Sequence, residues 1–157
     1  MATFALDQNF PEPIVVALRT SLDPVANLMP VHNMNPAYAE LEDWQLLLQL
    51  DRQHGDIVGL ITTDANMLSQ SREMLALAQT QLTLVVTQAA GHDPILATGL
   101  LFVYLDRICH QRAANRPQVW LLAAGPRTPQ LPRHFLGKIA KRNQCIIEEL
   151  RAKFPFE

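Results

Sequence analysis

Two apolar runs in this chain each end on an aspartate: Leu6-Asp7 and Thr63-Asp64. An aspartate there is an ordinary turn or cap residue when it stands alone. Two such residues at the same edge of one sheet form a candidate acidic site. A third contribution comes from the segment opened by Asn35-Pro36, where Asn caps and Pro takes the first helical position. Reading it as one helix to about His54, with residues at about 100° intervals, places Glu40 and Asp43 inside the apolar arc of Ala37, Leu41, Trp44, Leu47, Leu48 and Leu50. Glu42 points away, and Asp51 shares the arc but lies roughly two turns further on. Carboxylates brought together repel, and the usual compensation is a hard divalent cation with oxygen ligands, Mg²⁺ or Mn²⁺. Such an ion suits phosphodiester hydrolysis, because it lowers the pKa of a bound water and neutralises transition-state charge. No Ser-His-Asp or Cys-His arrangement competes, and the six glycines form neither a Walker loop nor a GxGxxG turn.

The elements that must position these residues read as strands alternating with helices. The expected strands are Thr3–Leu6, a weak one within Val25–Val31, Asp56–Thr62, Leu82–Thr87 and Gln118–Ala123. Between them fall helical segments at Ile14–Leu22, Pro36–His54, Ser69–Thr80 and Asp93–Ala114, and a final basic helix at Arg133–Lys153 follows a proline-rich loop, Gly125–Pro132. Continuous apolar strands separated by helices imply a three-layer α/β/α fold around a mostly parallel five-stranded sheet. Such sheets bind ligands at the carboxyl ends of their strands.

The 157 residues suffice for one domain, 1–157, carrying a basic helical segment at about 127–157. Hydrophobic residues make up 48% and charged residues 18%, enough for a core and too few charges for a disordered chain. The formal charge of −2 hides a split: residues 1–126 carry 6 Lys+Arg against 12 Asp+Glu, and residues 127–157 carry 7 against 3. Within the basic segment Lys138, Lys141 and Arg142 share one helical face, opposite Phe135, Ile139, Ile146 and Leu150. That basic face is either solvated surface or a phosphate track for nucleic acid. Arg72, one turn into the helix after Asp64, is placed to reach a substrate phosphate or to pair with neighbouring acids. Trp44 and Trp120 read as core residues. Cys109 and Cys145 are far apart and lack metal-site spacing, which fits a reducing cytoplasm. The start shows no signal peptide, and the longest apolar run, Ile95–Leu105, is about half a membrane span. That run also offers a homodimer surface, although burial within the monomer explains it more simply.

Leu6-Asp7-Gln8-Asn9-Phe10-Pro11 resembles the Leu-Asp-x-Asn-hydrophobic-Pro opening of PIN-like domains. Asp43-Trp44 near a helix start and Ile61-Thr62-Thr63-Asp64 resemble their middle acid and their Thr-x-Asp strand end. PIN domains are small α/β ribonucleases, many of them VapC-type toxins of bacterial toxin–antitoxin pairs. The likeness spans about residues 3–87. It implies a metal-dependent endoribonuclease with Asp7 and Asp64 as metal ligands and Asp43 or Glu40 as the middle acid. RNA would be the substrate and a cognate antitoxin the protein partner; homodimers are usual in the family. The pattern departs at Gln8, where related subgroups carry an acid, and at Thr87-Gln88, where many members carry a fourth acid. Asp93, the nearest later acid, reads as the cap before Pro94. A reduced cluster also admits a catalytically inactive PIN-like module that binds RNA or protein. A phosphate-receiver α/β domain fits less well, because no lysine follows either late strand.

Overall fold

The computed structural model describes residues 1–8, 10, 12–87, 93–123 and 128–156. Five strands form one sheet, all parallel, in the order β2-β1-β3-β4-β5. They are β1 (Thr3–Leu6), β2 (Asn27–Pro30), β3 (Ile57–Thr62), β4 (Thr83–Val86) and β5 (Gln118–Leu121). Seven α-helices accompany them among the described residues: α1 (Glu12–Leu22), α2 (Val31–Met34), α3 (Asp43–Gln53), α4 (Ser71–Ala78), α5 (Pro94–Gln111), α6 (Pro132–Arg142) and α7 (Ile147–Lys153). Two 3₁₀ turns, Pro36–Glu40 and Ala65–Ser69, precede α3 and α4. The expected three-layer α/β/α architecture is present.

The sheet divides the core in two, because alternate residues of a strand face opposite ways. Ala5, Leu60, Leu84, Val86 and Val119 join the buried faces of α3, α4 and α6. Phe4, Leu6, Ile61, Val85 and Trp120 join those of α1 and α5. The weak strand expected within Val25–Val31 forms and pairs along the outer side of β1. Asp93 caps α5 by accepting from the Ile95 and Leu96 amides, as its position before Pro94 implied. No helix among the described residues is long and apolar enough to cross a membrane. The Ile95–Leu105 run is only partly buried. Ala97, Leu101 and Leu105 are covered, whereas Ile95 and Val103 are 78% and 70% exposed.

Three expected helices differ from those observed. The segment after Asn35 is not one helix. A 3₁₀ turn ends at Glu40, Leu41 is extended at φ −78° and ψ 145°, and α3 begins at Asp43 with Glu42 as its cap. Gln45 Oε1 accepts from the Glu42 amide and fixes that start. The segment after Asp64 is likewise a 3₁₀ turn followed by α4 from Ser71, not a helix opened by Ser69. The basic helix is split into α6 and α7. Gln144 takes the left-handed conformation, φ 54°. The Cys145 amide bonds back to the Ala140 carbonyl and that of Gln144 to Lys141, which is a Schellman stop. The packed face expected for the basic helix therefore holds for Phe135, Ile139 and Leu150, while Ile146 is exposed.

Gly59 sits where β3 is flanked by both neighbours. A Cβ there would lie 2.1 Å from the Thr83 carbonyl oxygen and 2.8 Å from a Phe4 ring carbon. The backbone atom cannot yield, so this is overpacking at the sheet centre. Gly59→Ala is expected to destabilise the chain by about 3 kcal/mol or more, read as a lower urea midpoint; an unchanged midpoint would refute this close strand approach.

Candidate acidic site at the sheet switch point

The strand order reverses between β1 and β3: from β1 the chain builds β2 on one side, and β3 then pairs on the other. Crevices that accept ligands open at this place in parallel sheets, at the carboxyl ends of the strands. Asp7 follows β1 and Asp64 lies just beyond β3, so both expected strand-end acids reach the switch point. The Asp7 amide donates to the Ile61 carbonyl at 3.0 Å, extending the ladder by one residue. Asp7 is buried, and its Oδ2 accepts from the Thr62 hydroxyl at 2.6 Å. The same Thr62 oxygen accepts from the Asp64 amide at 3.0 Å. One hydroxyl thus ties the two acids together. Asp64 Oδ1 then accepts from the Asn66 amide and caps the 3₁₀ turn at Ala65. A buried bond from a hydroxyl to a charged acceptor is worth about 1.5–3 kcal/mol.

Asp43 enters from the first position of α3. Its carboxyl is pushed up from 3.8 to about 6, first by burial and then by the charges of Asp7, Asp64, Glu73 and Glu42. A helix N-terminus by itself favours the charged carboxylate, so burial and like charge outweigh the dipole here. Glu40 is not brought in. It ends the first 3₁₀ turn, is exposed, and is not among the charges acting on Asp43. The wheel that put Glu40 and Asp43 on one face fails because the backbone breaks between them. Glu73, which the sequence reading passed over, takes the added place. It lies on the first turn of α4, and its carboxyl is raised by burial, with Glu42 and Asp64 adding to the shift against its own backbone bond and Arg72.

The basic residues divide in the same way. Arg72 lies 3.6 Å from a Glu42 carboxylate oxygen. Its guanidinium carbon is 5.2 Å from the ring centres of both Trp44 and Phe154. Trp44 is therefore half-buried at the rim of the site, not in the core as its position in the apolar arc suggested, and its indole N–H donates to Glu42. Trp120 is fully buried, as expected. Arg142 reaches from the end of α6 to the Ser69 carbonyl at 3.1 Å. With Arg72, Ser71 and Glu73 it lines a cleft of about 360 Å³. Lys138 and Lys141 are exposed on α6 and do not line that cleft. Arg127, Asn9, Pro11 and Gln88 lie outside the described residues.

The donors gathered here are carboxylate oxygens, the chemistry that Mg²⁺ and Mn²⁺ prefer. Among the described residues no three His, Cys, Asp or Glu side chains converge into a group that could hold one ion. Mg²⁺ commonly takes one or two carboxylates, with water and substrate phosphate completing its shell.

Two measurements test this electrostatic account. The folded chain keeps a proton on Asp43 up to about pH 6, whereas an unperturbed carboxyl releases it near 3.8. Folding therefore takes up a proton between those values, and this group's contribution to stability falls as pH rises through that window. Asp43→Asn removes the unfavourable charge. At pH 7 it is expected to stabilise by about 1–2 kcal/mol once partial solvent exposure is allowed for, with the difference vanishing near pH 4. Thermal melts that show a loss of stability at pH 7, or a gain independent of pH, would sink the account. Thr62→Val removes the shared hydroxyl and is expected to cost about 1–3 kcal/mol in denaturant unfolding; no cost would deny the tie between the two acids. Compared with family models, curated proteins and solved structures, the chain matches none, so the reading of its site stands on its own residues.

Proposed function

We propose that the switch-point acids form the centre of a divalent-metal-dependent endoribonuclease. The observation that carries this reading is the joining of Asp7 to the Asp64 main chain through Thr62 at the switch point, with Asp43 at the start of α3, where burial first and then the charges of Asp7 and Asp64 raise its carboxyl. Nothing in the packing of a sheet requires that repulsion, and a cation would relieve it. One or two of Asp7, Asp64 and Asp43 would hold Mg²⁺ or Mn²⁺, with water and substrate phosphate completing its shell, and Glu73 adds a further carboxylate to the group. The ion, when bound, supplies an activated water and neutralises charge developing on the phosphate. The chain's own residues supply position. Thr62 fixes the spacing of Asp7 and Asp64, and Arg142 with Arg72 offers guanidinium groups to flanking phosphates at the rim. Glu40, Lys138 and Lys141 are left with at most a remote part.

The PIN-like resemblance extends this to the toxin of a toxin–antitoxin pair acting in the cytoplasm. The exposed face of α5 supports a protein partner, either the antitoxin or a second copy of the chain. One observation favours a second reading, a PIN-like module that binds RNA or protein without cleaving: no three acids converge as a closed ion site among the described residues.

Asp7→Asn and Asp64→Asn are each expected to reduce Mn²⁺-dependent cleavage of a labelled single-stranded RNA by about 100-fold or more, with unchanged circular dichroism. Glu40→Ala should stay within about twofold of the parent, since its side chain is exposed and outside the acid group. Cleavage by both Asn variants at the parental rate would overturn the assignment. Calorimetry with millimolar Mn²⁺ separates the two readings: an intact fold that binds no metal supports the non-catalytic module.

A further inference from the structure

Four side chains stack beside the acidic site. Phe154 lies over the Arg72 guanidinium, which lies over Trp44, and Trp44 in turn meets Phe156 at 5.5 Å between ring centres with planes inclined by 36°. Arg72 and Trp44 belong to α4 and α3, the helices that carry Glu73 and Asp43. Residues 154–156 come from far along the chain and lie at the rims of two clefts. One is the 360 Å³ cleft with Arg72, Arg142 and Ser71, and the other, about 210 Å³, is lined by Trp44, Arg52 and Phe156 among others. Arg142 on one side and Arg52 on the other flank the stack, and Glu42 and Glu73 also line the first cleft.

A ring laid on an indole and on a guanidinium is also how an unpaired nucleobase is held, and such stacking is tolerant of sequence. Residues 154–156 are held by side chains more than by main chain: Phe154 and Phe156 are partly buried and pack at the edge of the core. Their main-chain bond among the described residues runs from the Phe154 amide to the Arg151 carbonyl, inside their own turn. The preceding helix, α7, buries only Leu150. Both Phe residues keep a minor part of their surface open to solvent, and a single cation–π contact near the surface is weak enough for another ring to replace it. We propose that residues 154–156 are a displaceable strap over a base-stacking platform made by Trp44 and Arg72. Single-stranded RNA would bind by taking the places of the Phe154 and Phe156 rings. The proposal rests on the ribonuclease reading and adds regulation to it: with the strap down, RNA has less purchase beside the acids.

The test is fluorescence anisotropy with a labelled single-stranded octauridylate in EDTA, so that cleavage plays no part. The Phe154→Ala/Phe156→Ala variant is expected to bind about five- to tenfold more tightly than the parent. Adding Trp44→Leu should abolish that gain, and a duplex RNA of equal length should show none. Iodide should quench more tryptophan emission in the double variant, because Trp120 is fully buried and only Trp44 is open to it. Equal or weaker binding by the folded double variant, or a gain that survives Trp44→Leu, overturns the proposal. Should the double variant unfold, Phe156→Leu keeps an apolar contact without a ring face and carries the test; it is expected to bind about two- to threefold more tightly, and parental affinity refutes the strap. A binding gain without Mn²⁺-dependent cleavage leaves the strap standing and removes the nuclease. Cleavage without the gain does the reverse.

Discussion

The hydroxyl of Thr62 is the contact on which the site depends. It donates to Asp7 at the end of β1 and accepts from the Asp64 amide beyond β3. The link runs from the Asp7 carboxylate to the main chain that carries Asp64, and so sets the end of β3 against the end of β1. The bond also sits where the strand order reverses, the place at which parallel sheets commonly accept ligands. Asp43 then completes the field from α3, and its raised proton affinity is the consequence of standing half-buried in front of two acids that cannot retreat.

The parallel sheet and its two acidic strand ends were legible because each rests on a local pattern. Runs such as Asp56–Thr62 and Leu82–Thr87 are apolar throughout, as strands buried on both faces must be. The helix breaks were not legible, because each is decided by distant groups or by an unusual residue. Pro36 to Gln53 has acceptable helical propensity and a continuous apolar face. The break at Leu41 accompanies the burial of Tyr38, whose hydroxyl meets His54 at 2.9 Å at the far end of α3. The stop at Gln144 uses a left-handed residue without a glycine to announce it. Losing the single helix also loses Glu40 from the site, while Glu73 joins it from α4.

The charge split between an acidic body and a basic segment proved informative in direction and coarse in place. Of the expected basic face on α6, Arg142 alone turns to the cleft, because it stands at the helix end that packs on the 3₁₀ turn after Asp64. Lys138 and Lys141 stay in solvent. Trp44 shows the same limit from the apolar side. Its surroundings are set by Phe154 and Phe156, more than a hundred positions away along the chain, so no local window could have removed it from the core.

The division of the core by the sheet has a consequence for how this chain can change. The acids, the arginines and the aromatic stack all lie on or beside α3, α4, α6 and the strand ends, whereas α1 and α5 pack on the opposite face through Phe4, Ile61, Val85 and Trp120. Sequence drift in that second layer reaches the acidic edge through the sheet, which close packing makes stiff, and through Phe10, whose amide bonds to the Asp7 carbonyl. Away from Phe10, that side of the molecule is therefore freer to vary, to gain a partner or to accept an inserted segment, while the acids on the other side keep their arrangement.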